Sequence, residues 1–162
     1  ESAGHTELLL STATTRLRWA ASHLAIALLG SAAILVVVGL SVGLAHGVAV
    51  GAPADQAVRM AGAALAQVPA VWVMAALAFA LFGWAPLAAP AVWALYVAFI
   101  VLGEFGELWQ LPRWVLDLSP FAHSPTLPGG AVESGGLALL LGAAVVGLFV
   151  GAVGWRRRDV RA

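Results

Sequence analysis

The stretch LAIALLGSAAILVVVGLSVGL, from Leu24 to Leu44, decides the fold class. It lies inside a longer run, Trp19 to Ala54, that contains no Asp, Glu, Lys or Arg. About 20 apolar residues in a helix cross the roughly 30 Å of hydrocarbon in a bilayer. A helix also satisfies its own backbone hydrogen bonds there, which an open strand cannot do. This stretch therefore predicts a membrane-spanning helix.

The composition extends this prediction to the whole chain. Hydrophobic residues make up 62% and charged residues 10%, with a mean hydropathy of +0.96, whereas soluble domains carry about 25% charge. The formal net charge is zero, so no overall field points to nucleic acid. The absence of cysteine excludes thiol redox chemistry, including that of quinone-linked disulfide enzymes. All basic residues are Arg, so the phosphate-binding Lys of a P-loop is not present in this sequence.

We predict an all-α polytopic membrane helix bundle that forms a single transmembrane domain over residues 1–162. Apolar runs bounded by Gly, Pro and charged residues predict four spanning helices. Their expected bounds are 19–46, 56–83, 87–103 and 137–155. Pro69 should kink the second of these helices. The third is short and ends in acidic residues.

Residues 104–136 contain too much proline and charge to cross a bilayer. We expect Phe105 to Trp109 to turn back at the membrane surface. Pro112 to Ser119 should then form a short interfacial helix, because proline suits the first position of a helix. Trp114 and Leu118 are expected to face the bundle.

Arginine is distributed unevenly between the two ends of the predicted bundle. Four spans place both termini on one side. Six arginines lie on that side and two on the other: Arg16, Arg18, Arg156, Arg157, Arg158 and Arg161 against Arg59 and Arg113. The positive-inside rule then predicts a bacterial plasma membrane protein with both termini of this segment in the cytoplasm.

Two glycine series, Gly39/Gly43/Gly47 and Gly147/Gly151, recur every four residues. Such spacing lets helix backbones approach closely. We call each series a glycine seam. A glycine seam could hold two helices of this bundle together, or it could lie at an interface between two transporter halves. The sequence leaves both readings open.

The opening residues ESAGHTELLLSTATTRLRW, Glu1 to Trp19, form an amphipathic segment before the first span. One interpretation is an interfacial anchor with snorkelling arginines. The residue order also resembles the cytoplasmic coupling loop of type-2 ABC exporter permeases (ABC-2 transporter permeases). The positions that match this loop are Glu1, Gly4, Glu7, Leu9, Thr12 and Arg16. The resemblance implies that residues 1–18 are a coupling segment contacting an ATPase subunit. Ala13 departs from the pattern, because proline is common there.

A second resemblance covers nearly the whole chain. The stretch LGEFGELWQLPRWVLDLSPFAHSPTLPGG, Leu102 to Gly130, resembles the last external segment of an actinobacterial branch of permeases described as exporters of polyketide antibiotics. QVPAVWV, Gln67 to Val73, and GWRRRDV, Gly154 to Val160, also resemble that branch. The resemblance implies that these residues are the C-terminal half of a longer permease. It also implies a second permease half and an ATPase, expected as a dimer, that binds ATP and Mg; no cofactor is expected on this chain.

The segment 104–136 is a candidate external gate. Its predicted members are Glu104, Glu107, Trp109, Pro112, Trp114, Ser119 and Pro120. Glu104 and Glu107, three residues apart, share a helix face. They could attract cationic drugs, or simply be a solvated helix end.

The expected function is a transport subunit, not an enzyme, that moves hydrophobic drugs or polyketide-type antibiotics outward. A proton-coupled small multidrug exporter is one alternative, but it needs an acid at mid-membrane. All acidic residues here lie at span ends or in loops. A non-transporting membrane scaffold or immunity-type protein is the other alternative.

Overall fold

The computed structural model describes residues 16–106, 108–125 and 134–158, without the side chains of Arg16, Leu17, Glu104 and Arg158. All regular elements among these residues are helices, which confirms the all-α membrane bundle. They are α1 Arg16–Val50, α2 Pro53–Leu65, α3 Val68–Trp84, α4 Ala91–Phe105, α5 Arg113–Leu116 and α6 Ser134–Arg158. Short 3-10 turns occupy Pro86–Ala88 and Pro120–His123.

Three helical stretches have the length and composition to cross a membrane. These are α1, the combined α2 and α3, and α6. The remaining apolar helix, α4, has 15 residues, about 22 Å at 1.5 Å per residue. It is shorter than the hydrocarbon core, so the fourth crossing stays a prediction.

The expected kink at Pro69 is confirmed as a break between α2 and α3. The turn lies at Ala66 and Gln67, and Pro69 occupies the first turn of α3. Proline has no N–H to donate to the carbonyl of Leu65, four residues earlier, and its ring crowds that carbonyl. The chain turns before the proline and then resumes as a helix.

The first glycine seam joins α1 to α2, which run antiparallel. A Cβ built on Gly39 would lie 2.8 Å from Cα of Ala61, and one on Gly43 would lie 2.6 Å from Cα of Ala57. Only glycine permits this approach. After α1 the chain reverses direction at Gly51, whose positive φ of 77° is readily adopted by glycine because it has no side chain.

The second glycine seam joins α3 to α6, which run parallel. A Cβ on Gly147 would lie 2.9 Å from Cβ of Ala76, and one on Gly151 would lie 3.0 Å from the backbone nitrogen of Ala80. Both seams are therefore occupied by helices of this chain, which decides between the two readings of the glycine spacing.

The start of α1 and the end of α6 lie at one end of the bundle. Trp19 and Trp155 line the same groove there. Trp84, at the end of α3, donates its indole N–H to the carbonyl of Val150 at 2.9 Å. The guanidinium of Arg157 lies 5.2 Å from the centre of the Trp84 ring. We call this the arginine end of the bundle, and the end where α1 passes into α2 the opposite end.

Candidate functional site

The segment after α4 folds back against the bundle. The chain turns at Gly106, where the amide of Leu111 donates to the Gly106 carbonyl at 3.1 Å. Gln110 adopts a φ of 52° within this turn, a conformation often found just beyond helix ends. The side chain of Leu116 would collide with any Cβ on Gly106, so α5 packs closely on the turn. The chain therefore turns back near Gly106, as predicted, and the position of this turn at the membrane surface stays a prediction.

Ser119 anchors this segment to the middle of α4. Its side chain is fully buried, and its hydroxyl donates to the carbonyl of Phe99, in the middle of α4, at 3.3 Å. Two residues later, the ring of Phe121 meets that of Tyr96 edge to face at 6.3 Å. The carbonyl of His123 lies against Gly136 in the first turn of α6. Residues 119–123 therefore pack between α4 and α6.

This arrangement borders a partly open cavity of about 610 Å³, within the range of small-molecule sites. Its polar lining is contributed by Gln67, Arg113, Asp117 and Ser124. Its apolar lining includes Phe99, Leu116 and Phe121. The hydroxyl of Ser124 is buried and makes no hydrogen bond with any described residue. The described lining therefore combines charged and polar groups with apolar side chains.

The predicted gate residues differ in their burial and in their positions in the structure. Ser119 is buried, Pro120 is half-buried at the start of the second 3-10 turn, and Pro112 precedes α5. Trp109 is largely exposed and stacks on Phe105 at 5.8 Å. Glu104 lies in the last turn of α4, and Glu107 lies outside the described residues.

The expected orientation of Trp114 and Leu118 is wrong. Trp114 is 72% exposed and Leu118 is 66% exposed, so neither packs into the bundle of this chain. The helix expected over Pro112 to Ser119 is also shorter, spanning Arg113–Leu116. Leu116 packs on Gly106 and Ser119 bonds to α4, and these two anchors leave Trp114 facing outward. An indole suits the membrane surface.

The structure places one of the six predicted coupling residues, Arg16. Glu1, Gly4, Glu7, Leu9 and Thr12 lie outside the described residues. Arg16 is the first residue of α1, at the arginine end of the bundle. The coupling segment stays a prediction based on resemblance.

Sequence reasoning missed the contribution of Gln67 to the cavity. In the sequence, Gln67 is the first residue of QVPAVWV, a stretch that indicates the family and not a cavity. A polar residue two positions before a proline within an apolar run was the available signal, since the proline breaks the helix beside it. Broken helices at membrane depth often border binding sites.

The long apolar helices define a polytopic membrane protein. We call residues 108–125, which fold back beside α4, the re-entrant segment. Residues 1–156 match the family described as "Multidrug efflux system permease Rv1217c, C-terminal domain", and the chain belongs to this family. It is 41% identical over 155 residues to the multidrug efflux system permease protein Rv1217c of Mycobacterium tuberculosis (strain ATCC 25618 / H37Rv). The match covers 96% of this chain and 28% of that relative. The resemblance to the C-terminal part of a longer permease is confirmed.

Proposed function

We propose that this chain is part of a permease that exports drugs through the plasma membrane. The observation that carries the proposal is the 41% identity, over 96% of the chain, to a protein named as a multidrug efflux permease. The fold supports it, because a bundle of apolar helices with a polar-lined cavity suits passage of amphipathic molecules. Hydrophobic drugs, including polyketide-type antibiotics, are the proposed cargo.

We further propose that a separate ABC ATPase, binding ATP and Mg, powers this export. The support is the resemblance of the first 16 residues to an ABC-2 coupling loop, which in that family contacts an ATPase subunit. The proposed coupling residues directly precede α1. Movement of the ATPase would therefore act on the start of α1, which borders α3 and α6 at the arginine end.

The arginine end of the bundle is proposed to face the cytoplasm. The described arginines at that end are Arg16, Arg18, Arg156, Arg157 and Arg158. Arg59 in α2 and Arg113 in α5 are the described arginines elsewhere. This asymmetry favours the cytoplasmic orientation. The cavity beside the re-entrant segment then lies toward the outside, where it can pass cargo outward.

The described acidic residues are Asp55, Glu104 and Asp117, of which Asp117 lines the cavity beside α4. Asp55 lies in the first turn of α2, Glu104 in the last turn of α4, and Asp117 just after α5. A proton-coupled carrier needs an acid held within the membrane, where protonation can be exchanged for cargo. None of these three occupies the middle of a long apolar helix.

The experiment uses the intact permease, with and without its ATPase, in a drug-sensitive bacterial strain. Drug accumulation should fall only when both proteins are present, and should recover when the ATPase carries a P-loop Lys→Ala change. Accumulation that falls without any ATPase would contradict the ABC mechanism. Unchanged accumulation of every drug class tested, together with normal membrane insertion, would favour the scaffold alternative.

The coupling segment has its own test. Glu7→Arg reverses the charge that would meet the ATPase, and should lower drug-stimulated ATP hydrolysis about tenfold if the pair is partly buried. His5→Gln, in the same segment but outside the matching positions, is the control. Equal ATPase activity in both variants would remove Glu7 from the coupling interface.

A further inference from the structure

The cavity beside the re-entrant segment is lined by two opposite charges from one turn of helix. Arg113 lies at the start of α5 and Asp117 just after its end, and both line the cavity. The amide of Asp117 donates to the carbonyl of Arg113 at 2.8 Å, so the two residues are one helical turn apart. At this spacing the Cβ atoms of two residues lie about 5 to 6 Å apart. The cavity therefore has a positive and a negative side chain next to each other in its wall.

These two side chains do not neutralise each other. Opposite charges four residues apart on a helix commonly form an ion pair. Arg113 and Asp117 form none with each other, and neither side chain has a hydrogen bond or ion pair with another described residue. The side-chain amide of Gln67, in the turn between α2 and α3, also lines the cavity without such a partner in the described part of the chain. An amide both donates and accepts hydrogen bonds, so all three groups are available to a ligand.

This pair of charges selects against ligands that carry a single charge. An anion attracted by Arg113 meets the like charge of Asp117, and a cation attracted by Asp117 meets the like charge of Arg113. An uncharged ligand that fills the cavity takes water away from both groups without replacing its interactions. A ligand with an acidic and a basic group, joined by a short spacer, pairs with both side chains at once.

We propose that the cavity binds zwitterionic amphiphiles, with the acidic group at Arg113 and the basic group at Asp117. The apolar part of the ligand lies against Phe99 and Phe121, which line the same cavity. This inference rests on the proposed export function, because it assigns a chemical class to the cargo. Both charged side chains are exposed, so each ion pair should change binding about fivefold, and salt should weaken the preference.

The test measures how well ligands protect a cysteine in the cavity. Ala122→Cys, at an exposed lining position, is made in the intact permease in lipid nanodiscs, with any other cysteine replaced, and its reaction with a water-soluble maleimide is timed. Decyl betaine, decyltrimethylammonium and decanoate have similar alkyl chains and different charges, and are used below micelle-forming concentrations. The betaine should protect at about fivefold lower concentration than either charged probe. Ala54→Cys, at an exposed position outside the lining, measures effects of each probe elsewhere.

Removing one charge at a time should shift the preference in opposite directions. Arg113→Gln leaves the negative charge and should favour decyltrimethylammonium, whereas Asp117→Asn leaves the positive charge and should favour decanoate. Exchanging the two charges, by Arg113→Asp with Asp117→Arg, should restore the preference for the betaine. Asp55→Asn together with Arg59→Gln is the matched control, because these residues have the same spacing in α2 and do not line the cavity.

Equal protection by the three probes without any charge substitution would overturn the proposal. Loss of betaine protection in both single variants without the opposite shifts would also overturn it, because that result indicates a structural role only. Protection by only one of the charged probes would assign the cavity to ions of that sign and contradict the proposal. Drug export without a charge preference would remove this inference alone, whereas a betaine preference without drug export would keep the binding site and contradict the export function.

Discussion

Replacing Gly43 with alanine tests whether close backbone packing holds α1 and α2 together. The new Cβ would lie 2.5 Å from the carbonyl oxygen of Gln56 and 2.6 Å from Cα of Ala57. Both atoms belong to the backbone, so no side-chain rotation can make room. Ordinary contact would require α2 to move away by about 1 Å, which weakens dispersion contacts along the whole seam.

The expected cost follows from two opposing terms. Overpacking a well-packed contact costs about 1 to 3 kcal/mol, and an immovable backbone favours the upper part of that range. Alanine is a better helix former than glycine by about 0.5 to 1 kcal/mol. The net loss for Gly43→Ala should be about 1 to 2 kcal/mol.

Gly30 in the same helix provides the control. A Cβ there would meet nothing within 4 Å, so Gly30→Ala should gain the helix-propensity term alone, about 0.5 to 1 kcal/mol. Denaturation of the intact permease in mixed micelles, followed by protease resistance, measures both variants. Equal stability of Gly43→Ala and Gly30→Ala would refute the close approach of α1 and α2.

Three further changes test separate contacts by the same assay. Trp84→Phe keeps a ring beneath Arg157 but removes the hydrogen bond to Val150, and should cost about 1 kcal/mol; no loss would argue against that bond. Ser119→Ala leaves the Phe99 carbonyl without its hydroxyl donor, and should cost about 1 kcal/mol and speed proteolysis of the re-entrant segment. Trp114→Ala removes an outward-facing ring, and should change stability by less than about 0.5 kcal/mol; a loss of several kcal/mol would show that Trp114 packs in the bundle.

The helices were predictable because each signal acts locally. Apolar runs and their bounding prolines and glycines predicted all the long helices, and Pro69 predicted the break in the second one. Ser119 was included in the gate, but its burial and its bond to Phe99 were not foreseen. That bond joins residues 20 positions apart in the sequence. A pattern within a few neighbouring residues cannot predict a contact over such a separation.

The error at Trp114 has a physical cause. A helical wheel predicts which face of a helix is buried by assuming that the helix is long and packs along its whole length against the bundle. The observed α5 has four residues, too few for a face to dominate its orientation. Leu116 against Gly106 and Ser119 against α4 hold it from both sides. Tertiary anchors therefore overrode the amphipathic pattern.

The polar cavity results from two proline-containing departures from regular helix that meet in space. Pro69 breaks the second apolar stretch and leaves Gln67 in the turn beside it. Pro112 starts the short α5, which carries Arg113 and precedes Asp117. The chain after α4 folds back beside the turn that carries Gln67, and both sets of polar groups line one cavity. Backbone irregularity is tolerated in a membrane where it borders such a cavity, so the same prolines that interrupt the helices place the polar residues around it.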